Sequence, residues 1–463
     1  MANSVLPVIN PSTGQTIEEL TADDRETALG KLERAAACFK DSGQSLALHE
    51  RIETLERLIP IMRREEKALA ELIALEGGKP LTDARVEAAR AIAGVRIAIN
   101  VISEDLGKVI PLGHQAASAG RLNLTGKFPR GVVLAFSAFN HPLNLIVHQV
   151  VPAFASGCPA IVKPASDTPL CCLRLVELMH EAGVPQDYLQ ATVLTDLSIA
   201  TELVSSEKIA FFSFIGSSRV GWMLRSQLKA GVRCALEHGG VAPAIVTPSA
   251  QLSTAIPSIT KGGFYHAGQV CVSTQRLYVQ EAMFDTTVQA LKDSVTNLRT
   301  GDASDADTDV GPLIRGAEVD RVEEWVREAL SGGATAVIGG SRREGQFYAP
   351  TVMIDVPADA RLSTAEVFGP VVSVYPYGDL NEALARANLH PHAFQSSIYT
   401  EQLSDVYAAY DALDASAVMV NDHTAFRDDA MPFAGLSASG LGVGGIPYTI
   451  EDMQFEKMLV LKS

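Results

Sequence analysis

At 463 residues the chain is too long for one ordinary hydrophobic core, so two or more domains are expected. Its 47% hydrophobic and 20% charged residues are those of a globular protein and leave no stretch that reads as low-complexity disorder. A formal net charge of -16 argues against binding a phosphate backbone, which needs clustered Lys and Arg.

Met1–Asn10 has no basic start followed by an apolar run. No apolar stretch reaches the roughly 20 residues of a membrane span. The nearest, Asn140–Gly157, carries His141, Asn144, His148 and Gln149, which are costly in lipid. The cysteines Cys38, Cys158, Cys171, Cys172, Cys234 and Cys271 form no CxxC pair. The expectation is a cytoplasmic protein without disulfides, membrane or nucleic-acid partner. The histidines are scattered without ligand spacing, so no metal site is expected.

In chain order, the first 60 or so residues after Asp24 read as helical, with an amphipathic stretch over Glu50–Ile73 whose Glu53 and Lys67 lie on the solvated face. Gln115–Lys127 is rich in small and β-forming residues, and Lys457–Lys462 is a second short strand candidate. These two are either an oligomerisation arm or an ordinary edge hairpin. Val132–Phe136 is a β-branched apolar run. A helix is predicted from Pro142 to Ser156, with Gly157 ending it. Strand Ala160–Val162, helix Leu170–Glu181, strand Ile209–Ile215 and a helix opened by Gly216-Ser217 follow. Later strands are predicted at Ala334–Ile338, Val371–Tyr375 and Ala417–Val420. This alternation predicts βαβ units and parallel sheets, an α/β fold.

Three residues carry chemistry when taken together. Cys271 follows Gly268-Gln269-Val270. Glu237 precedes His238-Gly239-Gly240, and Asn140 follows the strand Val132–Phe136. Singly, each has an ordinary reading: a buried thiol, a surface turn and a helix cap. Jointly they supply a thiolate nucleophile, an amide for a developing oxyanion and a carboxylate to activate water. Gly216-Ser217-Ser218-Arg219-Val220-Gly221 is either a pyrophosphate turn at a helix N-terminus or a plain strand-to-helix turn. Lys163 ends a strand, where ligand crevices form in open α/β sheets; a plain surface lysine remains the alternative.

The order Asn140, Ile161-Val162-Lys163-Pro164-Ala165, Gly216-Ser217, Leu236-Glu237-His238-Gly239-Gly240, His266-Ala267-Gly268-Gln269-Val270-Cys271, Glu366-Val367-Phe368-Gly369-Pro370 and Met431-Pro432-Phe433 resembles the aldehyde dehydrogenase superfamily. With Asn10-Pro11-Ser12-Thr13-Gly14, the likeness spans nearly the whole chain. It implies a Rossmann-like cofactor domain (1–113 and 129–240), an α/β catalytic domain (241–447) and a small β oligomerisation arm (114–128 and 448–463), assembled as a homodimer or homotetramer.

It also implies that Cys271 is the nucleophile, that Asn140 and the Cys271 N–H hold the oxyanion, and that Glu237 activates water. A thiohemiacetal would lose hydride to NAD or NADP, giving a thioester. The presence of Glu237 favours hydrolysis over transfer to coenzyme A. Lys163, Ser166, Gly216, Ser217, Glu366 and Phe368 are the implied cofactor residues.

Ser166 stands where NAD-preferring members often carry Glu, which leaves both cofactors open, with Asp167 a possible substitute on the ribose. His266 replaces the usual Asn before Ala-Gly-Gln, and Ser437 the usual Lys of the late Pro-Phe motif. The substrate tunnel departs most. His141 and His148 take positions that are aromatic in many members and would share a helix face at i and i+7. Phe433 remains an apolar wall, and Arg427 precedes it. A polar or anionic aldehyde is therefore expected, with His141, His148, Arg427 and Phe433 as its contacts. The alternative is that both histidines only pack and Arg427 pairs with Asp428 or Asp429. An inactive binding relative and a thiol esterase are the rival functions.

Overall fold

The structure, a computed structural model, describes residues 4–40, 46–104 and 107–462. The outermost residues of the expected domain spans, 1–3 and 463, lie outside the described residues.

Two parallel sheets organise the chain. The first has the order Gly440–Leu441, Arg233–Glu237, Ile209–Ile215, Val132–Phe136, Ala160–Lys163, Leu189–Ala191. Only the short Gly440–Leu441 strand runs antiparallel. Every residue of Val132–Phe136 is buried, because helices cover both faces, and this accounts for its unbroken apolar run. The strand order reverses beside Val132–Phe136: the next strands in sequence lie on one side and the later ones on the other. Ligand crevices open at such a switch point, outside the carboxyl ends of the strands. Asn140, Lys163, Gly216 and Glu237 all follow or form those ends.

The second sheet has the order Thr335–Ile338, Thr351–Ile354, Val371–Tyr377, Arg276–Gln280, Pro243–Val246, Gln395–Tyr399, Ala417–Val420. Its first strand alone is antiparallel. Each sheet has its own apolar core. The expected catalytic span is not closed on itself, since Gly440–Leu441 joins the first sheet beside Glu237. Arg121–Pro129 and Gln454–Lys462 pair antiparallel along their full lengths as a two-stranded arm. No helix among the described residues is long and apolar enough to cross a membrane.

Most predicted elements stand where expected. Ile209–Ile215 and Ala417–Val420 have the predicted bounds, and Gly157 and Gly183 end their helices at φ 88° and 112°. The amphipathic stretch is longer than expected, running over Leu48–Gly77. The helix expected from Pro142 begins at Asn144 instead. Its N-terminus has no local cap. Glu87, from helix Leu81–Ser103, accepts the N–H groups of Leu143 and Asn144, both at 3.0 Å. The carboxylate offsets the positive end of the helix and replaces the missing cap. His141 therefore lies in the turn before the helix and shares no helical face with His148.

Glu87 also receives the Lys79 ammonium, and neither side chain has any solvent exposure. Burial alone would drive Lys79 towards the neutral form; the Glu87 charge opposes this. Removing one partner of a buried pair strands the other. Glu87→Ala is expected to cost about 3–5 kcal/mol, read as a lower thermal midpoint. An unchanged midpoint would refute this role for the pair.

Candidate active site

Cys271 is presented by a contorted loop. Helix Leu252–Phe264 ends in a tight turn in which His266, Ala267 and Gly268 take φ of 48°, 54° and 71° in succession. A side chain at Gly268 would collide with the Gly369 carbonyl. The chain reversal is pinned by Gln269, whose Nε2 donates to the Pro312 carbonyl at 3.2 Å and whose Oε1 accepts Ile314 N–H at 2.9 Å. Asn140 Nδ2 donates to the Gln269 carbonyl at 2.9 Å. One of its two amide hydrogens is thereby engaged and the side chain is oriented over the Cys271 loop. Gly240 N–H donates to the Cys271 carbonyl at 3.0 Å, tying this loop to the segment after Glu237.

Glu237 ends its strand opposite Gly444, where any side chain would occupy the place of the carboxylate. Burial pushes its pKa up to about 7, opposed by the Arg427 charge. The Cys271 thiol is also raised, first by burial and then by the charges of Glu366 and Glu237, while Arg427 acts in the opposite sense. These charge effects run between Cys271, Glu237 and Arg427, with Glu366 adding to that on Cys271.

Glu366 is buried against Gly239, which has no room for a side chain. Burial lifts its pKa to about 8, and its Oε1 has no hydrogen-bond partner. Gln275 holds this segment by accepting Val367 N–H at 2.9 Å and donating to the Ala365 carbonyl at 2.7 Å. Phe368, at φ 45°, packs edge-on against Phe139 with centroids 5.8 Å apart. The Gly216 turn is set by its own N–H donating to the Glu237 carbonyl at 3.0 Å and by His238 Nδ1 on its carbonyl at 2.9 Å. Ser217 caps helix Ser218–Arg225 without using its side chain. Lys163 Nζ donates to the Pro164 carbonyl at 3.1 Å. Ser166 is exposed, and Asp167 is held by Arg315 at 2.9 Å.

The four expected substrate residues divide. Arg427 lies 3.9 Å over the Phe433 ring and donates to the Met431 carbonyl at 3.2 Å. Burial lowers its pKa to about 10. His141 shares a hydrogen bond with Tyr265 Oη at 3.2 Å. His148 is buried and turned away, with Nε2 donating to Asp429 at 2.7 Å. Asp429 is thus taken by His148 and by Arg90, so it is not the ion-pair partner of Arg427.

Residues 1–459 match the aldehyde dehydrogenase family. The chain belongs to that family. It is an NAD(P)-dependent enzyme that oxidises an aldehyde to an acid. A 3-sulfolactaldehyde dehydrogenase of Priestia megaterium is 36% identical, over 98% of this chain and 94% of the relative. Among solved structures, aldehyde dehydrogenase 21 of Physcomitrella patens in complex with its product succinate is 33% identical, with TM-score 0.95 over 99% of this chain and 95% of the other. A glyceraldehyde-3-phosphate dehydrogenase of Methanocaldococcus jannaschii complexed with NADP is 32% identical, with TM-score 0.94 over 100% and 99%.

Sequence reasoning in this dehydrogenase missed Glu87, Gln269, Tyr265 and Arg315, and named Asp429 only as an alternative partner of Arg427. Gln269 lay inside the quoted Cys271 motif and was legible there. The others act across long sequence separations. Gly444→Ala is expected to displace the Glu237 carboxylate and slow turnover on the order of 10²-fold with the melt unchanged. Parent-like kcat would show that Glu237 does not depend on that space.

Proposed function

We propose that the enzyme oxidises an anionic aldehyde, with Cys271 as nucleophile, Asn140 as oxyanion donor and Glu237 as base. The observation that carries the anionic choice is Arg427. Its guanidinium is partly buried, rests on an aromatic ring and a carbonyl, and acts electrostatically on both Cys271 and Glu237. Among the described residues, no carboxylate lies within ion-pair distance of it. A partly buried cation with no carboxylate at ion-pair distance favours an anion brought by the substrate. The sulfonate, phosphate and carboxylate named for three of the relatives are anions, whereas lactaldehyde and betaine aldehyde, named for others, are not.

The steps follow from the side chains. The Cys271 thiol is held protonated, so attack on the carbonyl needs a base, and Glu237 near 7 can take that proton. The free amide hydrogen of Asn140 and the Cys271 N–H receive the oxyanion of the thiohemiacetal. When bound, NAD(P) accepts the hydrogen and electron pair lost from the aldehyde carbon, leaving a thioester on Cys271. Glu237 gives up the thiol proton to bulk water and then removes a proton from the attacking water; the carbon–sulfur bond of the thioester breaks, the acid leaves and the Cys271 thiolate takes a proton back from Glu237. His141, tied to Tyr265, lies beside Asn140 and contacts the polar chain of the substrate, with Phe433 as the apolar wall. His148 acts from behind the cavity and touches no substrate.

The cofactor fits the chain. The unpartnered Glu366 Oε1 suits a ribose hydroxyl, Phe368 packs beside it, and the helix after Gly216 and Ser217 suits a pyrophosphate. Lys163 suits the adenosine ribose. Ser166 carries no charge and Asp167 is neutralised by Arg315, so this end suits NAD and NADP alike.

The proposed domain spans are those of the two sheets and the arm, with Gly440–Leu441 of the catalytic span crossing to the first sheet. That arm exposes Leu122, Leu124, Phe128, Phe455, Met458, Leu459, Val460 and Leu461. A continuous apolar edge of this kind suits a second copy, giving a homodimer or homotetramer. Replacing Leu459 and Leu461 by Lys is expected to lower the mass seen by light scattering, and an unaltered mass would overturn that role.

Cys271→Ser is expected to abolish reduced-nicotinamide formation with paired anionic and neutral aldehydes. Retained turnover would refute the thioester route. In the parent, kcat/KM should rise with pH through about 7 as Glu237 deprotonates. Arg427 lowers that pKa, so Arg427→Gln should move the limb to higher pH. It should also remove the preference for the anionic aldehyde. A limb that does not move, or a preference that survives, would refute the role of Arg427.

A further inference from the structure

We infer that Asp429 is a positioning residue that sets Arg427 in place and so controls selection of the anionic aldehyde. The inference rests on the anion-binding reading of Arg427. Asp429 sits two residues after Arg427 in the loop that continues to Met431 and Phe433. Its buried carboxylate accepts Arg90 Nη2 at 2.6 Å and Nε at 3.2 Å, His148 Nε2 at 2.7 Å and Asn144 Nδ2 at 3.2 Å. Its own carbonyl accepts Ile446 N–H at 3.0 Å. Donors from helices Leu81–Ser103, Asn144–Ser156 and Ile446–Asp452 therefore converge on one loop residue. Burial would raise the carboxyl pKa, but His148 and Arg90 hold it well below the usual range, so it is charged throughout the working pH.

Two consequences follow for Arg427. The loop is anchored at its middle while Asp428 organises its turn, accepting Ala430 N–H at 2.9 Å on the side chain and Met431 N–H at 3.1 Å on the carbonyl. The Met431 carbonyl that Arg427 grips, and the Phe433 ring beneath it, are thereby held in register. Second, Arg90 and His148 occupy Asp429, which keeps the nearest anionic neighbour in the loop from capturing the Arg427 guanidinium. Asn144 is four residues past Asn140, and its first-turn N–H is fixed by Glu87. The Asn144–Asp429 hydrogen bond thus links the helix that follows Asn140 to the Arg427 loop.

The test is steady-state kinetics of the full-length enzyme with an anionic aldehyde and a neutral one of equal length. In Asp429→Asn, KM for the anionic aldehyde should rise about tenfold or more, with kcat within about threefold and the neutral KM unmoved. Arg90→Lys, which keeps the charge and loses the paired hydrogen bonds, should move the same KM in the same sense by less. It supplies the readout should Asp429→Asn not fold. A loss shared equally by both aldehydes, or a lower anionic KM, would overturn the inference. Arg427→Gln is run alongside. If it removes the anion preference while the Asp429 and Arg90 variants keep it, the positioning role falls and the anion reading stands. If Arg427→Gln leaves the preference intact, both fall.

Discussion

One amide hydrogen bond joins the two halves of the active site. Asn140 belongs to the first sheet, and the Gln269 carbonyl it binds at 2.9 Å belongs to the loop leading into the second. Gly240 N–H closes the same junction from the other side through the Cys271 carbonyl. Cys271, Asn140 and Glu237 come from segments over separate cores, so their mutual placement depends on these contacts. Gln269 makes the junction stiff. It is buried, and its side chain is used on both ends. A catalytic geometry distributed over two sheets needs such a tie, because small displacements of reacting groups are costly in rate.

Burial governs the chemistry. Glu237 and Glu366 are lifted to about 7 and about 8, mainly by loss of water, and the Cys271 thiol is raised in the same way. Burial therefore favours the neutral forms of the Cys271 thiol and of both carboxyls. A thiol held in this state is protected from stray electrophiles and oxidants, which react with the thiolate. Arg427 is the countervailing cation. Its charge favours ionisation of both Cys271 and Glu237, so one side chain bears on both groups.

The sequence carried the local features and lost the distant ones. Ile209–Ile215 was legible because helices bury both faces and the run is continuous; Gly157 and Gly183 were legible because only glycine ends a helix cheaply at positive φ. Asn140, Lys163, Gly216 and Glu237 were legible as the loop ends of parallel strands. The helix start at Asn144 was misplaced because its cap, Glu87, lies in another helix, and no local signal marks it. That displacement undid the shared face of His141 and His148. The partners of Asp167 and Asp429 were hidden for the same reason: Arg315 and Arg90 are remote in sequence, and ion pairs have no period to read.

Backbone strain marks the same site independently. Non-glycine residues with positive φ among those described are His266, Ala267, Asp355, Phe368, Asn421 and Ser437. Three of the six flank Cys271 and Glu366. Such conformations cost of order 1–3 kcal/mol each and persist only where surrounding contacts over-determine them. Around His266 and Ala267 those contacts are the Gln269 side chain and the Asn140 amide; around Phe368 they are Gln275 and the Phe139 ring. His266 bears a further cost, since both of its ring nitrogens are buried without partners. Burial holds it neutral, which limits that cost to unmade hydrogen bonds. An ordinary turn would relax these terms. Their concentration beside the Cys271 thiol and the Glu366 carboxyl is what a loop shaped for geometry, and held by its neighbours against its own preference, would display.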